Sequence, residues 1–249
     1  MLRLLAAIYG VGCYLMFLTV FAYLVVFLVD IPLPGLLSKT VTHGAPAGGV
    51  SAIAQDVLLM ALFGLQHSVM ARTRFKQWIE RMLPSSLERS TYVLASSAVL
   101  ALMMWQWQPI EGVVWQFEGE VAQYFLWSLF GLGLTLTFAA TFLTSHVDLF
   151  GLRQVYLHLV QKTYSNVPFK TGWLYRLVRH PMMLGLLISL WATPTMTMSH
   201  LLFAVGMSIY VFIGIHFEER ALLLALGEDY AQWRRETPMI VRLRPQSRR

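Results

Sequence analysis

Apolar and polar residues fall along this chain in long blocks, not in the two-residue alternation of half-buried strands. From Leu4 to Val29 there are 26 residues without a charge. As helix they measure about 39 Å, enough to cross a ~30 Å hydrocarbon core with tilt. Their uninterrupted length predicts a retained helix, since a cleaved signal has a shorter apolar region. Further spans are predicted at about Val50 to Met70, Thr91 to Trp107 and Val121 to His146. The last apolar stretch, Met182 to Phe217, is too long for one simple span and contains Pro194, which predicts a hairpin turning near Thr195 to His200. Its first arm, Met182 to Thr193, is only about 18 Å long and can enter the membrane without crossing fully. The expected fold is all-α: a polytopic membrane helix bundle of about five to six transmembrane helices, including a C-terminal hairpin over 181–217. A single domain covers 1–249, with a cytoplasmic tail over 218–249.

Composition agrees with lipid as solvent. Of the 249 residues 57% are hydrophobic and only 13% charged, against about 25% charged in soluble domains. This excludes an ordinary soluble domain, a disordered chain and a disulfide scaffold, and Cys13 has no second cysteine to pair with. The net charge of +6 would suggest nucleic acid if it clustered on one soluble face. The basic residues instead lie between apolar spans, so no nucleic-acid partner is expected and membrane orientation is the reading. Arg72, Arg74, Lys76, Arg81 and Arg89 follow span two, and Arg153, Lys162, Lys170, Arg176 and Arg179 follow span four. Arg220, Arg234, Arg235, Arg242, Arg244, Arg248 and Arg249 follow the hairpin. With Arg3 these place one side in the cytoplasm and leave only Lys39 outside, while Pro109 to Glu120 carries only acidic charge. Both termini are therefore expected in the cytoplasm, with an even number of crossings.

Ionisable groups at membrane depth are costly, which makes Asp56, His67, His146, His180, His216, Glu218 and Glu219 the candidates for function. His67, in Gln66-His67-Ser68, is either a proton acceptor or an interfacial histidine bonded to backbone and water. Asp56 reads as a structurally satisfied carboxylate. His146 with Asp148, and His216 with Glu219, each offer two metal ligands, and two ligands are not a site; no metal is expected. Gly131-x-Gly133 has no preceding strand and reads as helix packing, not a nucleotide loop. Arg179-His180-Pro181 opens the first hairpin arm, where Pro181 suits the first helical position and free backbone N–H groups favour an anion. A hairpin returns its ends to one side, so this segment should converge with Glu218 and Glu219, either as a binding site or as an interfacial salt bridge.

The run from Thr171-Gly172-Trp173 through Arg179-His180-Pro181-Met182-Met183-Leu184-Gly185 resembles the R-H-P-x-x-x-G motif of the isoprenylcysteine carboxyl methyltransferase superfamily. Glu218-Glu219-Arg220-x-Leu222, Gly227-x-x-Tyr230 and Thr237-Pro238 are similar to its E-E-x-x-L, G-x-x-Y and T-P tail. Upstream, Gln66-His67-Ser68, Glu88-Arg89-Ser90-Thr91-Tyr92, Trp105-Gln106-Trp107 and His146-Val147-Asp148 through Gln154 resemble the branch that contains the methanethiol S-methyltransferases and the NnrU proteins. Met183 stands where prenylcysteine enzymes usually have tyrosine.

This resemblance implies transfer of a methyl group from S-adenosyl-L-methionine to methanethiol, a small volatile thiol, giving dimethyl sulfide in a membrane-embedded site of a bacterial inner-membrane protein. Glu218 or Glu219 would accept from the cofactor's ribose or ammonium. His180 and the helix start, with Arg179, Pro181 and Gly185 of the motif, would hold its carboxylate or adenine edge, and Gln154 and Tyr175 would join them. His67 is the expected proton acceptor and Arg89 the cation that favours a thiolate. Gln66, Tyr92, Trp105 and Trp107 are the expected substrate contacts, although tryptophan is ordinary at a membrane interface. The alternatives are another small thiol, a lipid or prenylcysteine acceptor, or a non-catalytic membrane factor like NnrU; oligomeric state is left open.

Overall fold

The computed structural model describes residues 1–33, 38–44, 49–165 and 173–241. Lys170, Thr171, Gly172, Arg242, Arg244, Arg248 and Arg249 lie outside the described residues. In chain order the elements are α1 (Leu2–Val29), α2 (Val50–Met70), α3 (Thr73–Ile79), α4 (Ser85–Gln106), β1 (Val113–Gln116), α5 (Glu120–Thr144), α6 (His146–Leu149) and α7 (Leu152–Leu159). A 3-10 turn at Trp173–Arg176 precedes α8 (Pro181–Trp191), β2 (Thr195–Thr197), α9 (Met198–Leu226) and α10 (Glu228–Glu236).

Helices α1, α2, α5 and α9 are long and apolar enough to cross a membrane, and α8 is a shorter apolar helix. At 11 residues α8 is about 16 Å long, short of a bilayer core. α4 has the length of a span at 22 residues, but Glu88, Arg89 and five serines leave it more polar than those four. It begins at Ser85, ahead of the expected Thr91. The fourth span ends at Thr144, not His146: Ser145 takes φ 119° and breaks the helix, so His146 opens the separate turn α6.

Packing groups the chain into two compact units. The first comprises Met1–Gln116, Ser145–Val167 and Thr195–Gly206. In it α4 packs against α1, α2 and α7, and α1 against α7. Trp107 is fully buried among Phe27 and Phe203, and its indole N–H donates to Ser199 Oγ at 2.9 Å, which donates to Val41 O. Asp56, fully buried, accepts Gln108 N–H at 2.9 Å, Gln55 donates to Gln106 O at 2.7 Å, and Lys39 donates to Trp105 O at 2.6 Å. Gln55 and Lys39 thus satisfy carbonyls at the end of α4, whereas Asp56, expected to be structurally satisfied, is so on Oδ1 alone and keeps Oδ2 buried without a hydrogen-bond partner among the described residues. Gly151 (φ +85°) lies against the Ser90 backbone, where a Cβ would meet Ser90 N at 2.8 Å. β1 and β2 pair antiparallel.

The second unit comprises Phe117–Thr144, Pro168–Pro194 and Met207–Arg249. Its centre is the α5·α8 contact. Gly133 and Gly185 face each other so closely that a Cβ on Gly185 would stand 2.5 Å from Gly133 O, and one on Gly133 2.7 Å from Gly185 O. Ser189 and Thr137 line the same seam and reach across it, Ser189 Oγ donating to Phe130 O at 3.3 Å and Thr137 Oγ1 to Met182 O at 3.4 Å. Small residues let the two backbones approach, as in other membrane helix pairs.

Candidate functional site

In the second unit Pro181 is the first residue of α8 and His180 its N-cap, so the chain enters the helix with Arg179 and His180 side by side. Their backbone N–H groups donate to Pro238 O at 2.9 Å and Met239 O at 3.2 Å. The expected free N–H groups at this start are thus partly taken by the chain's own tail, while Met182 and Met183 keep first-turn amides that have no intrahelical acceptor. Arg179 reaches further into that tail, donating Nη1 to Arg234 O at 2.7 Å and Thr237 O at 2.6 Å.

The two glutamates of α9 differ sharply. Glu219 is buried and receives Arg179 Nε at 2.7 Å and His180 Nε2 at 3.2 Å on Oε1, with Arg234 Nε at 3.1 Å on Oε2. Three cationic or potentially cationic groups consume one carboxylate. Glu218, its side chain half exposed, has Oε2 3.5 Å from His180 Nδ1. Tyr175 bonds Thr144 Oγ1 through its hydroxyl at 2.9 Å. Burial pushes its phenol up, and the Glu218 charge adds to the shift. Tyr230, buried beneath the cluster on α10, is pushed up to about 12, first by burial and then by Glu219. His216, on α9, is exposed while Glu219 is buried, so the pair does not form a site. Among the described residues no group of three His, Cys, Asp or Glu could hold a metal ion.

In the first unit His67 near the end of α2 meets α4. Its Nε2 is 2.6 Å from the Tyr92 hydroxyl and its Nδ1 3.1 Å from Ser96 Oγ. Phe63 packs on the imidazole at a centroid distance of 5.4 Å. Gln66 Nε2 reaches Ser96 Oγ at 3.4 Å and Met70 Sδ at 3.0 Å, while Gln66 Oε1 is buried with no hydrogen-bond partner among the described residues. The Arg89 guanidinium lies 4.9 Å from the Tyr92 ring centroid, and its Nε donates to Leu149 O at 2.7 Å. This is a neutral network with one cation at its margin, held by a backbone carbonyl.

The profile of the NnrU protein family matches residues 57–245. The chain belongs to the NnrU family. Relatives include a protein from Mycobacterium tuberculosis named methanethiol S-methyltransferase, 45% identical over 97% of this chain and 97% of its own. One of the same name from Crocosphaera subtropica is 44% identical over 96% of this chain and 92% of its own. Human nurim is 30% identical over 70% of this chain and 69% of its own. No solved structure matches. With its apolar helices, this NnrU protein is an integral membrane protein.

Against the expectations from sequence, the structure of this NnrU protein gathers Arg179, His180, Glu218 and Glu219 in one unit, with Tyr175 within reach of the Glu218 charge. It gathers Gln66, His67, Arg89 and Tyr92 in the other. Trp105 and Trp107 are separated from Tyr92 by roughly 20 Å along α4. Trp105 is exposed, and Trp107 is a core residue. Gly185 serves the α5·α8 seam, and Pro181 is fully buried at the helix start. Gln154 donates Nε2 to Asp148 O at 3.2 Å and keeps Oε1 buried without a partner among the described residues. Sequence reasoning missed three participants. Ser96 lies one helical turn beyond Tyr92, a spacing that would have found it. Arg234 and Thr237 lie in the tail whose motif was visible but whose contact with Arg179 was not.

Proposed function

We propose that this protein is an S-adenosylmethionine-dependent thiol S-methyltransferase that converts methanethiol to dimethyl sulfide in a membrane-embedded site, with both termini in the cytoplasm of a bacterial inner membrane. The observation that carries the reading is similarity over nearly the whole of both chains to proteins named methanethiol S-methyltransferase. The residues present suit the cofactor. Glu218 has an exposed carboxylate face for ribose hydroxyls or the ammonium, and Tyr175 and His180 flank it. Glu219 instead holds Arg179, His180 and Arg234 in place. When bound, S-adenosylmethionine supplies an electrophilic methyl group on a sulfonium.

The thiol must lose a proton. An unperturbed thiol titrates near 8.5, so little thiolate exists at pH 7 and an acceptor aids attack. The His67 network supplies that acceptor, and Arg89 holds the Tyr92 ring through a cation–π contact. The test is headspace gas chromatography of the purified, detergent-solubilised protein given S-adenosylmethionine and methanethiol. Dimethyl sulfide is expected from the wild type and strongly reduced product from Glu218→Gln. A wild type that binds the cofactor but forms no dimethyl sulfide contradicts the assignment of methanethiol, and one that does not bind it contradicts the methyltransferase reading.

A further inference from the structure

At the start of α1 the first unit holds a cavity of about 580 Å³. Leu5, Ala6 and Tyr9 of α1 form one wall, Pro84 and Leu87 at the start of α4 another, and Arg3 and the α7 residue His158 complete the lining. Its origin lies in the helix packing. α1 meets α7 where Gly10 lies against Val155, so closely that a Cβ on Gly10 would stand 2.7 Å from the valine side chain. One turn earlier Ala6 has too short a side chain to fill the gap. Leu4 and Ile8, on the same turns of α1, are exposed, as lipid-facing residues of a span are. Tyr9 bonds its hydroxyl to Thr91 Oγ1 at 3.0 Å and so offers the cavity its ring. The Arg3 guanidinium and the His158 ring, by contrast, have no hydrogen bond or ion pair among the described residues.

An apolar cavity at the end of a membrane span takes a hydrocarbon, and a guanidinium without an acceptor beside an imidazole N–H takes an anion with acceptor oxygens. One component of the surrounding bilayer has both parts. We propose that this cavity is a binding site for an anionic phospholipid, whose phosphodiester accepts from Arg3 and His158 while part of one acyl chain lies against Leu5, Ala6, Tyr9 and Leu87. Its volume falls in the range of sites that enclose small molecules, about 300 to 1,000 Å³. The charge of the adjoining segment favours the same head group: Arg72, Arg74, Lys76 and Arg81 precede Pro84 with only Glu80 against them, and basic residues at the membrane surface draw anionic lipid. With the termini in the cytoplasm, as proposed above, the mouth of the cavity opens on the inner leaflet, the one that carries negative surface potential.

The test is native mass spectrometry of the full chain in detergent, titrated with dioleoylphosphatidylglycerol or with dioleoylphosphatidylcholine, which share their chains and differ in net charge. The wild type should bind the anionic lipid about fivefold more tightly or better, since one basic residue at an anionic surface contributes about that factor. Arg3→Gln should remove the preference and leave the unfolding temperature without added lipid unchanged, because Arg3 is exposed and bonds no described residue. Ala6→Leu, which places a side chain in the cavity, should weaken both lipids together. Arg74→Gln, exposed on α3 and outside the cavity, should keep the preference. Equal binding of the two lipids by the wild type overturns the site, as do equal losses in Arg3→Gln and Arg74→Gln, which leave only a diffuse attraction to a basic face. Wild-type affinities in Ala6→Leu overturn it as well. In detergent none of these results depends on which way the chain crosses the membrane, so a reversed orientation would move the site to the outer leaflet without removing it.

Discussion

The two polar clusters use opposite electrostatics. Around Glu219 one buried carboxylate is surrounded by Arg179, His180 and Arg234, and the arginines also bond tail carbonyls or lie in the tail itself. Around His67 the partners are hydroxyls and an amide, with one guanidinium facing a ring. A charged cluster resists rearrangement because each ion's desolvation is offset only by its partners. Hydroxyls and an imidazole can each donate or accept, so a chain of them can take up and pass on a proton. On the proposed function the contrast separates holding from proton movement, and the adjacent glutamates differ in the same way: Glu219 is buried against three partners, whereas the Glu218 side chain is half exposed.

The largest effect should come from Glu219→Ala, which leaves the buried Arg179 guanidinium and the buried His180 ring without their carboxylate. Thermal unfolding in detergent should show a loss of about 3 to 5 kcal/mol, and a stable Glu219→Ala protein would remove its structural role. Glu218→Gln should leave the unfolding temperature nearly unchanged but weaken S-adenosylhomocysteine binding by roughly 10- to 100-fold, since bonds to charged groups contribute about 1.5 to 3 kcal/mol. If calorimetry finds equal affinities, the division between the glutamates fails. Gly185→Ala should cost about 1 to 3 kcal/mol through overpacking against Gly133. Weaker cofactor binding by a folded Gly185→Ala protein would instead return Gly185 to the binding site.

The smallest effects are in pH. Burial lowers the His146 imidazole, which bonds the Tyr14 hydroxyl at 2.7 Å. Folding then favours the neutral ring. Its stabilisation is present above the unfolded value of about 6.5 and is lost as pH falls through the lower folded value. Tyr230 shifts the other way: its stabilisation is present below about 10 and is lost as pH rises toward about 12. Unfolding temperatures should therefore fall on the acid side less in His146→Gln, and on the alkaline side less in Tyr230→Phe. Unaltered slopes in both variants would show that neither group titrates with folding.

Much of the architecture was legible because lipid imposes block hydrophobicity. Pro194 marked the hairpin, and the length of Met182 to Thr193 marked α8 as short. The glutamates could not be told apart in sequence, because adjacent residues differ by about 100° around a helix and α9 is apolar on most of its circumference, so nothing sets its phase. Gly185 resembled part of a binding motif while its contact, Gly133, lay 52 positions upstream. Trp105 and Trp107 looked like neighbours of Tyr92 only until distance along α4 was counted. The hydroxyls on His67 come from another helix, and only a folded chain shows them.

The most direct test is calorimetric titration of S-adenosylhomocysteine into wild type, Glu218→Gln and His67→Ala, paired with methanethiol turnover. Separate holding and proton movement predict that His67→Ala binds like wild type but turns over poorly, while Glu218→Gln loses binding. Loss of binding in His67→Ala, with Glu218→Gln unaffected, would contradict the account.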